Sequence, residues 1–140
     1  MNKKKNDVIL ILILILAAAV IFSVQHLNKS KGSKTRLVIT YDNEAVLKGR
    51  IYEDADKIIK NADYLDSEYI YVEDNKLIIM NGEAYNILVT ETAEDGRIGI
   101  RCIESNCRDH VCMDVGLTTS EENPIICLPH KLAVRVIRTD

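Results

Sequence analysis

The N-terminal part of the chain carries an unbroken apolar run. From Val8 to Val24 no residue is charged, and Ser23 is the only polar side chain. At ~1.5 Å per helical residue this run spans ~25 Å, near the lower limit for crossing a bilayer. A helix in a soluble core would normally show a polar face, which this run lacks. The pattern therefore predicts a single transmembrane helix over residues 8–27.

The segments around this helix bear on its topology. The lysines at positions 3–5 form a basic tail over residues 1–7, and so short a tail usually stays in the cytoplasm. We therefore expect residues 28–140 to be extracytoplasmic. The lysines that follow the helix nearly balance those before it, so the opposite orientation is the alternative. The small residues Ala17–Ala19 would suit a signal peptidase, but the apolar run continues beyond them. We interpret the segment as a retained signal anchor, with cleavage as the alternative.

Beyond the helix, short β-prone runs alternate with turn residues. Residues 28–34, NKSKGSK, contain no apolar side chain and are typical of a flexible linker. Alternation is clearest near the C-terminus, where Leu132, Val134 and Val136 share one face of a strand. Asp-Asn pairs at 42–43 and 74–75 fall between runs and favour turns. The predicted strands are TRLVITYD (35–42), EAVLKGRI (44–51), EYIYVE (68–73), KLIIM (76–80), YNILVTET (85–92), RIGIRCIE (97–104), IICL (125–128) and LAVRVIR (132–138).

One segment of this region has a helical period. Within residues 53–65, Ala55, Ile58, Ile59 and Ala62 fall on one face, and acidic residues crowd the first turn. The expected fold class is therefore mainly β, a small β-sandwich or barrel-like domain over residues 35–140 with one short helix. The polar loop from 116 to 124 has no periodicity, and we expect a cross-link to help hold its ends.

The net charge of the predicted β-domain bears on which classes of molecule it can bind. From residue 35 onward the chain has 12 basic and 20 acidic residues, a formal balance of −8. Such a domain is repelled by phosphate backbones, and six Tyr, one Phe and no Trp in the whole chain offer no evident base-stacking platform. We therefore expect no nucleic-acid partner; the membrane, through the single anchor, is the expected partner.

The four cysteines are the main candidate for chemistry, and outside the cytoplasm they would usually form disulfides. They follow the spacing Cys102-x4-Cys107-x4-Cys112-x14-Cys127. A bridge from Cys112 to Cys127 would close a loop of about 15 residues, worth ~3 kcal/mol in the chain-entropy model, and Cys107–Cys127 would tie the same loop. Cys102 lies on the strand face of Ile98 and Ile100, so it could instead be a free buried thiol.

The same residues allow metal binding. Two C-x-x-H units, Cys107 to His110 and Cys127 to His130, with Cys112 beside the first, supply enough soft ligands for tetrahedral zinc. They are also similar, imperfectly, to the two loops of a Rieske cluster site, whose first loop is spaced differently. The alternative interpretation of both histidines is that they are solvated loop residues beside disulfides.

A third interpretation is a redox-active dithiol. Cys107 and Cys112 could form a labile pair, and His110 between them would favour a thiolate if protonated. The C-x-x-C spacing of thioredoxin-like proteins is missing, and so are the P-loop and the G-x-S-x-G nucleophile motif. We therefore assign no catalytic residue and no cofactor, and expect a protein that is not an enzyme.

The C-terminal residues resemble a known family. IESNCRDHVCMDVG, then a polar loop, then PIICLPHKLAVRVI is similar to the NusG domain II family of small membrane-anchored proteins of Gram-positive bacteria. YNILVTET resembles the family's "YN" strand, and the similarity covers most of residues 35–140. The matching positions are Cys107, Cys112, Gly116, Cys127, Leu128, Pro129, His130 and Lys131.

The resemblance implies an all-β domain like the one inserted in some NusG transcription factors, without implying a role in transcription. Some relatives are associated with extracytoplasmic flavin and quinone electron-transfer systems. This chain departs from the family's three-cysteine pattern at Cys102, and residues 53–73 are longer than the family norm. We therefore expect a membrane-anchored accessory or interaction module cross-linked by cysteines. The alternative is a redox or metal-binding component of a membrane electron-transfer assembly, with a membrane redox protein as partner.

Overall fold

The computed structural model describes residues 3–29 and 34–139, so residues 30–33 of the expected linker lie outside the described residues. The chain divides into two compact units, residues 1–32 and residues 33–140. In the described part of the first unit the chain forms α1 (Lys3–Lys29), which includes the first two residues of the expected linker. Its stretch Lys5–Val24 has a mean hydropathy of 3.0, and none of it is buried within the protein. By length and composition α1 can therefore cross a membrane.

The second unit is mainly β. Its strands are β1 (Thr35–Tyr41), β2 (Glu44–Arg50), β3 (Tyr64–Leu65), β4 (Ile70–Glu73), β5 (Lys76–Asn81), β6 (Ala84–Thr92), β7 (Ile98–Ser105), β8 (Ile125–Cys127) and β9 (Leu132–Arg138). They form two antiparallel sheets, with the strand orders β3-β2-β1-β9-β8 and β4-β5-β6-β7. The first and last strands of the unit pair along their whole length, from Thr35 opposite Arg138 to Tyr41 opposite Leu132.

Both Asp-Asn pairs form hairpin turns, as their residue types predict. The backbone φ is 49° at Asp42 and 66° at Asn43, and 49° and 58° at Asp74 and Asn75. Two consecutive residues with positive φ are the mark of the type I′ turn, whose twist matches that of antiparallel strands. Asn and Asp tolerate this left-handed backbone better than most other non-glycine residues.

Apolar side chains from both sheets form one core. On β9, Leu132, Val134 and Val136 are buried while Arg135 is exposed, which confirms the predicted alternation. The opposite sheet contributes Leu77, Leu88 and Ile100, among others, to the same cluster. The unit is therefore a β-sandwich, in which each sheet buries one face.

The predicted helix over 53–65 is too long. Helix α2 covers Ala55–Lys60, with Asp54 as its N-cap, and Ala55 and Ile58 face the core as expected. Tyr64 and Leu65 instead form β3, which pairs with Lys48 and Leu47 of β2. The helix is shorter than its apolar period predicts, because the chain after residue 61 pairs with the edge strand β2 instead of continuing the helix.

Two features of the C-terminal half have no counterpart in the predicted elements. A short helix, α3 (Val111–Asp114), follows β7. The polar loop after it is held by the backbone, because Thr118 and Ile100 exchange hydrogen bonds of 2.8 and 3.0 Å. Gly99 makes this close approach possible, since a Cβ there would lie 2.7 Å from the Thr118 carbonyl oxygen.

Candidate functional site

The four cysteines converge where β7, α3 and β8 pack together. Cys102 lies on β7, Cys107 just after it, Cys112 in α3 and Cys127 at the end of β8. His110, immediately before α3, has a left-handed backbone with φ of 52°, which turns the chain between Cys107 and Cys112. The alternation of β7 and β8 points Cys102 and Cys127 inward. Cys107 and Cys112 are buried as well, so none of the four cysteines is exposed.

The sulfur atoms lie close together. The Sγ atoms of Cys107, Cys112 and Cys127 all lie within 4.8 Å of one another. The closest contact is 3.6 Å, between Cys107 and Cys112. Cys102 lies outside this group of three but approaches it, with its Sγ 3.9 Å from that of Cys112. The sandwich therefore holds a group of three thiols with a fourth beside it, which we call the thiol cluster.

A buried amide faces the thiol cluster. The Nδ2 of Asn86, on β6, donates to the Ser105 hydroxyl oxygen at 3.1 Å. It also lies 3.5 Å from Cys112 Sγ and 3.8 Å from Cys102 Sγ. Its Oδ1 lies 2.7 Å from His130 Nδ1, which acts as the donor in the neutral ring. The imidazole thus orients the amide so that its N–H groups point at sulfur, where they favour thiolate forms.

The four thiols differ in acidity. Burial raises the pKa of Cys102, and raises the pKa of Cys112 and of Cys127 to about 11. Burial also raises the pKa of Cys107, but hydrogen bonds from the Ser105 hydroxyl, the neighbouring thiols and a backbone N–H outweigh it, and that pKa is lowered overall. Cys107 is therefore the thiol of this cluster that ionises first.

An apolar cavity opens beside these sulfurs. It has a volume of about 300 Å³. Several residues at its rim are exposed apolar side chains, with Leu128 80%, Val111 58% and Ile126 43% exposed. Its lining residues are Cys107, Asp109, Val111, Cys112, Ile126, Cys127, Leu128 and Pro129. Three of the four cysteines thus line a recess at the surface even though each thiol is buried.

The two histidines of the C-x-x-H units take different positions. His110 is exposed at the start of α3 and is not part of the three-thiol group. His130 is partly buried and bonded to Asn86, and burial lowers its pKa, which favours the neutral ring. The arrangement brings together three cysteines of the proposed metal set and places neither histidine with them.

Two other motif residues, Gly116 and Lys131, have left-handed backbones outside the lining of this cavity. Gly116 has a φ of 77°, a left-handed conformation that favours glycine. Lys131, with φ of 54°, places its Nζ 3.3 Å from the Asp42 carboxylate and its carbonyl oxygen 2.9 Å from the Asp42 N–H. The turn before β9 is thereby fastened to the turn between β1 and β2.

Asn86 and Ser105 belong to the site and were missed by the sequence interpretation. Both are buried polar residues on neighbouring strands, opposite each other in the β6–β7 register. The available signal was Asn86 itself, a polar residue beside the apolar run Ile87–Val89 of β6 and part of the "YN" pair. Nothing in the sequence spacing places it beside the cysteines, because the contact depends on strand pairing.

A larger cavity of about 510 Å³ lies elsewhere in the sandwich. Its lining combines aromatic and acidic side chains, and Tyr41 and Tyr69 stack with ring centroids 5.4 Å apart. The lining residues are Tyr41, Asp42, Glu44, Ala45, Val46, Lys48, Tyr64, Asp66 and Tyr69. This cavity contains no cysteine, so the concentrated thiol chemistry belongs to the smaller one.

The fold and site define a small β-sandwich with a buried thiol cluster, on a chain with an N-terminal helix able to cross a membrane. The chain belongs to the NusG domain II family, whose model matches residues 9–140. A DUF1312 family protein (EF3258) from Enterococcus faecalis V583, solved at 1.73 Å, is 26% identical with a TM-score of 0.50; the match covers 76% of this chain and 99% of that one. The Lin0431 protein from Listeria innocua is 21% identical with a TM-score of 0.49, covering 76% of this chain and 98% of that one. No curated protein matches this chain.

Proposed function

We propose that the protein is a membrane-anchored, extracytoplasmic accessory domain, not an enzyme, cross-linked through its cysteines. The apolar stretch Lys5–Val24 supports the anchor. The lysines that precede it favour a cytoplasmic N-terminus, which would export the β-sandwich. In that compartment neighbouring thiols are oxidised as a rule.

The observation that carries this proposal is the convergence of three sulfurs. The Sγ atoms of Cys107 and Cys112 lie 3.6 Å apart, and we assign the first disulfide to this pair. A disulfide bond of ~2.05 Å requires the two side chains to approach further, which side-chain rotation can supply where the Cβ atoms lie within bonding reach. The bond would fasten α3 to the end of β7 and keep the rim of the cavity in place for a partner.

Thiol mapping on native membranes tests location and cysteine chemistry together. Intact cells are treated with a membrane-impermeant maleimide, with and without a brief exposure to an impermeant reductant, and the peptides are then mapped under non-reducing conditions. We expect Cys107 and Cys112 to be labelled only after reduction. Labelling only after cell lysis would place the domain inside, and labelling without reduction would refute the disulfide.

A second candidate function is supported by the number of sulfurs. Three thiols converge at this site, although a single disulfide needs only two. The 3.6 Å between the Sγ atoms of Cys107 and Cys112 is also close to the separation expected for a metal site. Two thiolates on one tetrahedral zinc ion, with Zn–S bonds of ~2.3 Å, would lie ~3.8 Å apart. Cys107, Cys112 and Cys127 would be the ligands, and the Asn86 amide would hydrogen-bond to bound thiolate.

Elemental analysis separates the two candidates. The full chain is purified without oxygen from native membranes, and its metal content and visible spectrum are measured beside those of the Cys127→Ser variant. A stoichiometric metal that the variant loses supports the metal-binding function. Absence of both metal and chromophore, together with a Cys107–Cys112 disulfide, supports the cross-linked accessory domain.

A further inference from the structure

Cys102 is the cysteine by which this chain departs from the three-cysteine pattern of the family it resembles. It is 3% exposed, on β7, and its Sγ lies 3.9 Å from Cys112 Sγ. That separation is only slightly longer than the 3.6 Å between Cys107 and Cys112. Besides Cys127, whose Sγ lies within 4.8 Å, Cys112 therefore has two potential disulfide partners, Cys107 at 3.6 Å and Cys102 at 3.9 Å.

These two partners line different recesses, and Cys102 belongs to one that it forms with Arg101, Ile103, Met113 and Gly116. Cys107 lines the apolar cavity together with Cys112 and Cys127. Cys102 approaches Cys112 from β7, where it also donates to the Glu104 carbonyl oxygen at 3.3 Å. A disulfide that forms at the apolar cavity could thus be passed to a sulfur that lies outside that cavity.

We propose that Cys112 is shared by two alternative disulfides, Cys107–Cys112 and Cys102–Cys112, and that the four thiols form an internal disulfide relay. The relay rests on the proposed disulfide chemistry of an extracytoplasmic domain. Its external reactant is a disulfide-bonded compound, either a protein or a small thiol in its oxidised form.

The first step loads the relay at the cavity. The Cys107 thiolate attacks the external disulfide, forming a mixed disulfide and releasing one external thiolate. The Cys112 thiolate then attacks the Cys107 sulfur, which forms Cys107–Cys112 and releases the second external thiolate. The external disulfide gains two electrons, Cys107 and Cys112 lose two, and their protons pass to the released thiolates or to water.

The second step is an exchange without net oxidation. The Cys102 thiolate attacks Cys112 Sγ; the Cys102–Cys112 bond forms, the Cys107–Cys112 bond breaks, and Cys107 leaves as a thiolate. The proton lost by Cys102 is balanced by the one Cys107 takes up. Cys107 can now react with a second external disulfide, and Cys127 resolves the product as Cys107–Cys127. The four thiols have then lost four electrons and formed two disulfides. Three thiols could form only one disulfide and lose two electrons.

Disulfide mapping of the full chain in detergent tests the relay. The reduced protein is mixed with oxidised glutathione, quenched with acid at intervals and alkylated. Cleavage after Arg and Glu places each cysteine in its own peptide, because Arg101, Glu104, Arg108 and Glu122 lie between or before them. We expect Cys107–Cys112 to appear first and to be replaced by Cys102–Cys112, and the thiol count to fall from four to zero with excess oxidant.

Two variants complete the design. Cys102→Ser should stop at one disulfide with one free thiol. Cys127→Ser should still transfer the bond to Cys102–Cys112 and leave Cys107 as a thiol or as an unresolved mixed disulfide with glutathione. If either variant fails to fold, the disulfide map of the wild-type protein decides the question alone. The relay is overturned if Cys102 is recovered in its alkylated form at every time point, or if it pairs with any residue except Cys112. If Cys107–Cys112 forms while Cys102 stays free, only the relay fails; if neither forms, the proposed disulfide fails as well.

Discussion

At the scale of single residues, the site depends on one buried amide. Asn86 is 2% exposed and connects His130, Ser105 and the sulfurs of Cys102 and Cys112. A buried polar group is stable when its hydrogen bonds are satisfied and costly when a partner is removed. Asn86 is therefore both a structural centre and the residue that sets the polarity around the thiols.

Replacing Asn86 with alanine should destabilise the domain. The change removes the Asn86 partner of the His130 ring and one of the two donors to the Ser105 hydroxyl oxygen, which keeps the Cys107 N–H. We expect the free energy of unfolding to fall by about 1–3 kcal/mol. Thermal unfolding of the reduced full chain, followed by circular dichroism, measures this. The control is Asn123→Ala, since Asn123 is exposed. Equal stability of the two variants would contradict the central role of Asn86.

Cys107 should be the most reactive thiol of the reduced protein. Its pKa is lowered, whereas the pKa values of Cys112 and Cys127 are raised to about 11, so near pH 8 the thiolate fraction is largest at Cys107. Alkylation by iodoacetamide should modify Cys107 first and slow as the pH falls through its pKa. Time-resolved peptide mapping checks the order, with Cys107→Ser as control; earlier modification of Cys112 or Cys127 would contradict it.

At the scale of elements, two turns with the same geometry have different roles. Asn43 and Asn75 both occupy the second position of an Asp-Asn turn with positive φ. The Asn75 side chain also reaches the first turn of α2, where its Oδ1 accepts the Ala55 N–H at 2.7 Å. The β4–β5 hairpin therefore helps to satisfy the start of a helix that is distant in sequence.

Glycine substitutions at these two positions separate the roles. Glycine preserves the left-handed backbone at both, but Asn75→Gly also removes the bond to the α2 N-terminus. We expect Asn75→Gly to cost about 1 kcal/mol more than its matched control, Asn43→Gly, in line with the loss of a helix-capping side chain. Urea unfolding of both variants gives the difference. Indistinguishable midpoints would show that the bond contributes nothing.

At the scale of the whole molecule, the sandwich has its own core. None of the stretch Lys5–Val24 is buried within the protein, while apolar residues of both sheets fill one cluster in the second unit. The first and last strands of that unit pair with each other, so the sandwich closes only when β9 is in place.

A fragment of residues 34–140 should therefore fold without α1. We expect a cooperative thermal transition within a few degrees of that of the domain in the full chain, because no core side chain is lost. In the same fragment Val136→Asp should abolish the transition, since an unpaired buried charge costs much of a total stability of about 5–15 kcal/mol. The neighbouring exposed change Arg135→Asp should preserve it. Circular dichroism checks all three, and an unfolded parent fragment would contradict an independent core.

The sequence by itself determined the features that depend on neighbours along the chain. Alternation on β9, the Asp-Asn turns, the unbroken apolar run of α1, the motif of the NusG domain II family and the start of α2 can all be read locally, because strand, helix and turn preferences act over a few residues. The end of α2 at Lys60 could not, since β3 exists only through its pairing with β2.

Only the tertiary structure decided the content of the site. Cys102 and Asn86 lie 16 residues apart in sequence and meet through the pairing of β6 with β7, while Asn86 and His130 lie 44 apart and meet because the two sheets pack together. Sequence spacing allowed His110 either as a ligand of a C-x-x-H unit or as a solvated loop residue, and in the structure it is exposed at a left-handed turn. Contacts between residues distant in sequence depend on which strands pair and on how the two sheets pack, and preferences that act over a few residues do not decide either.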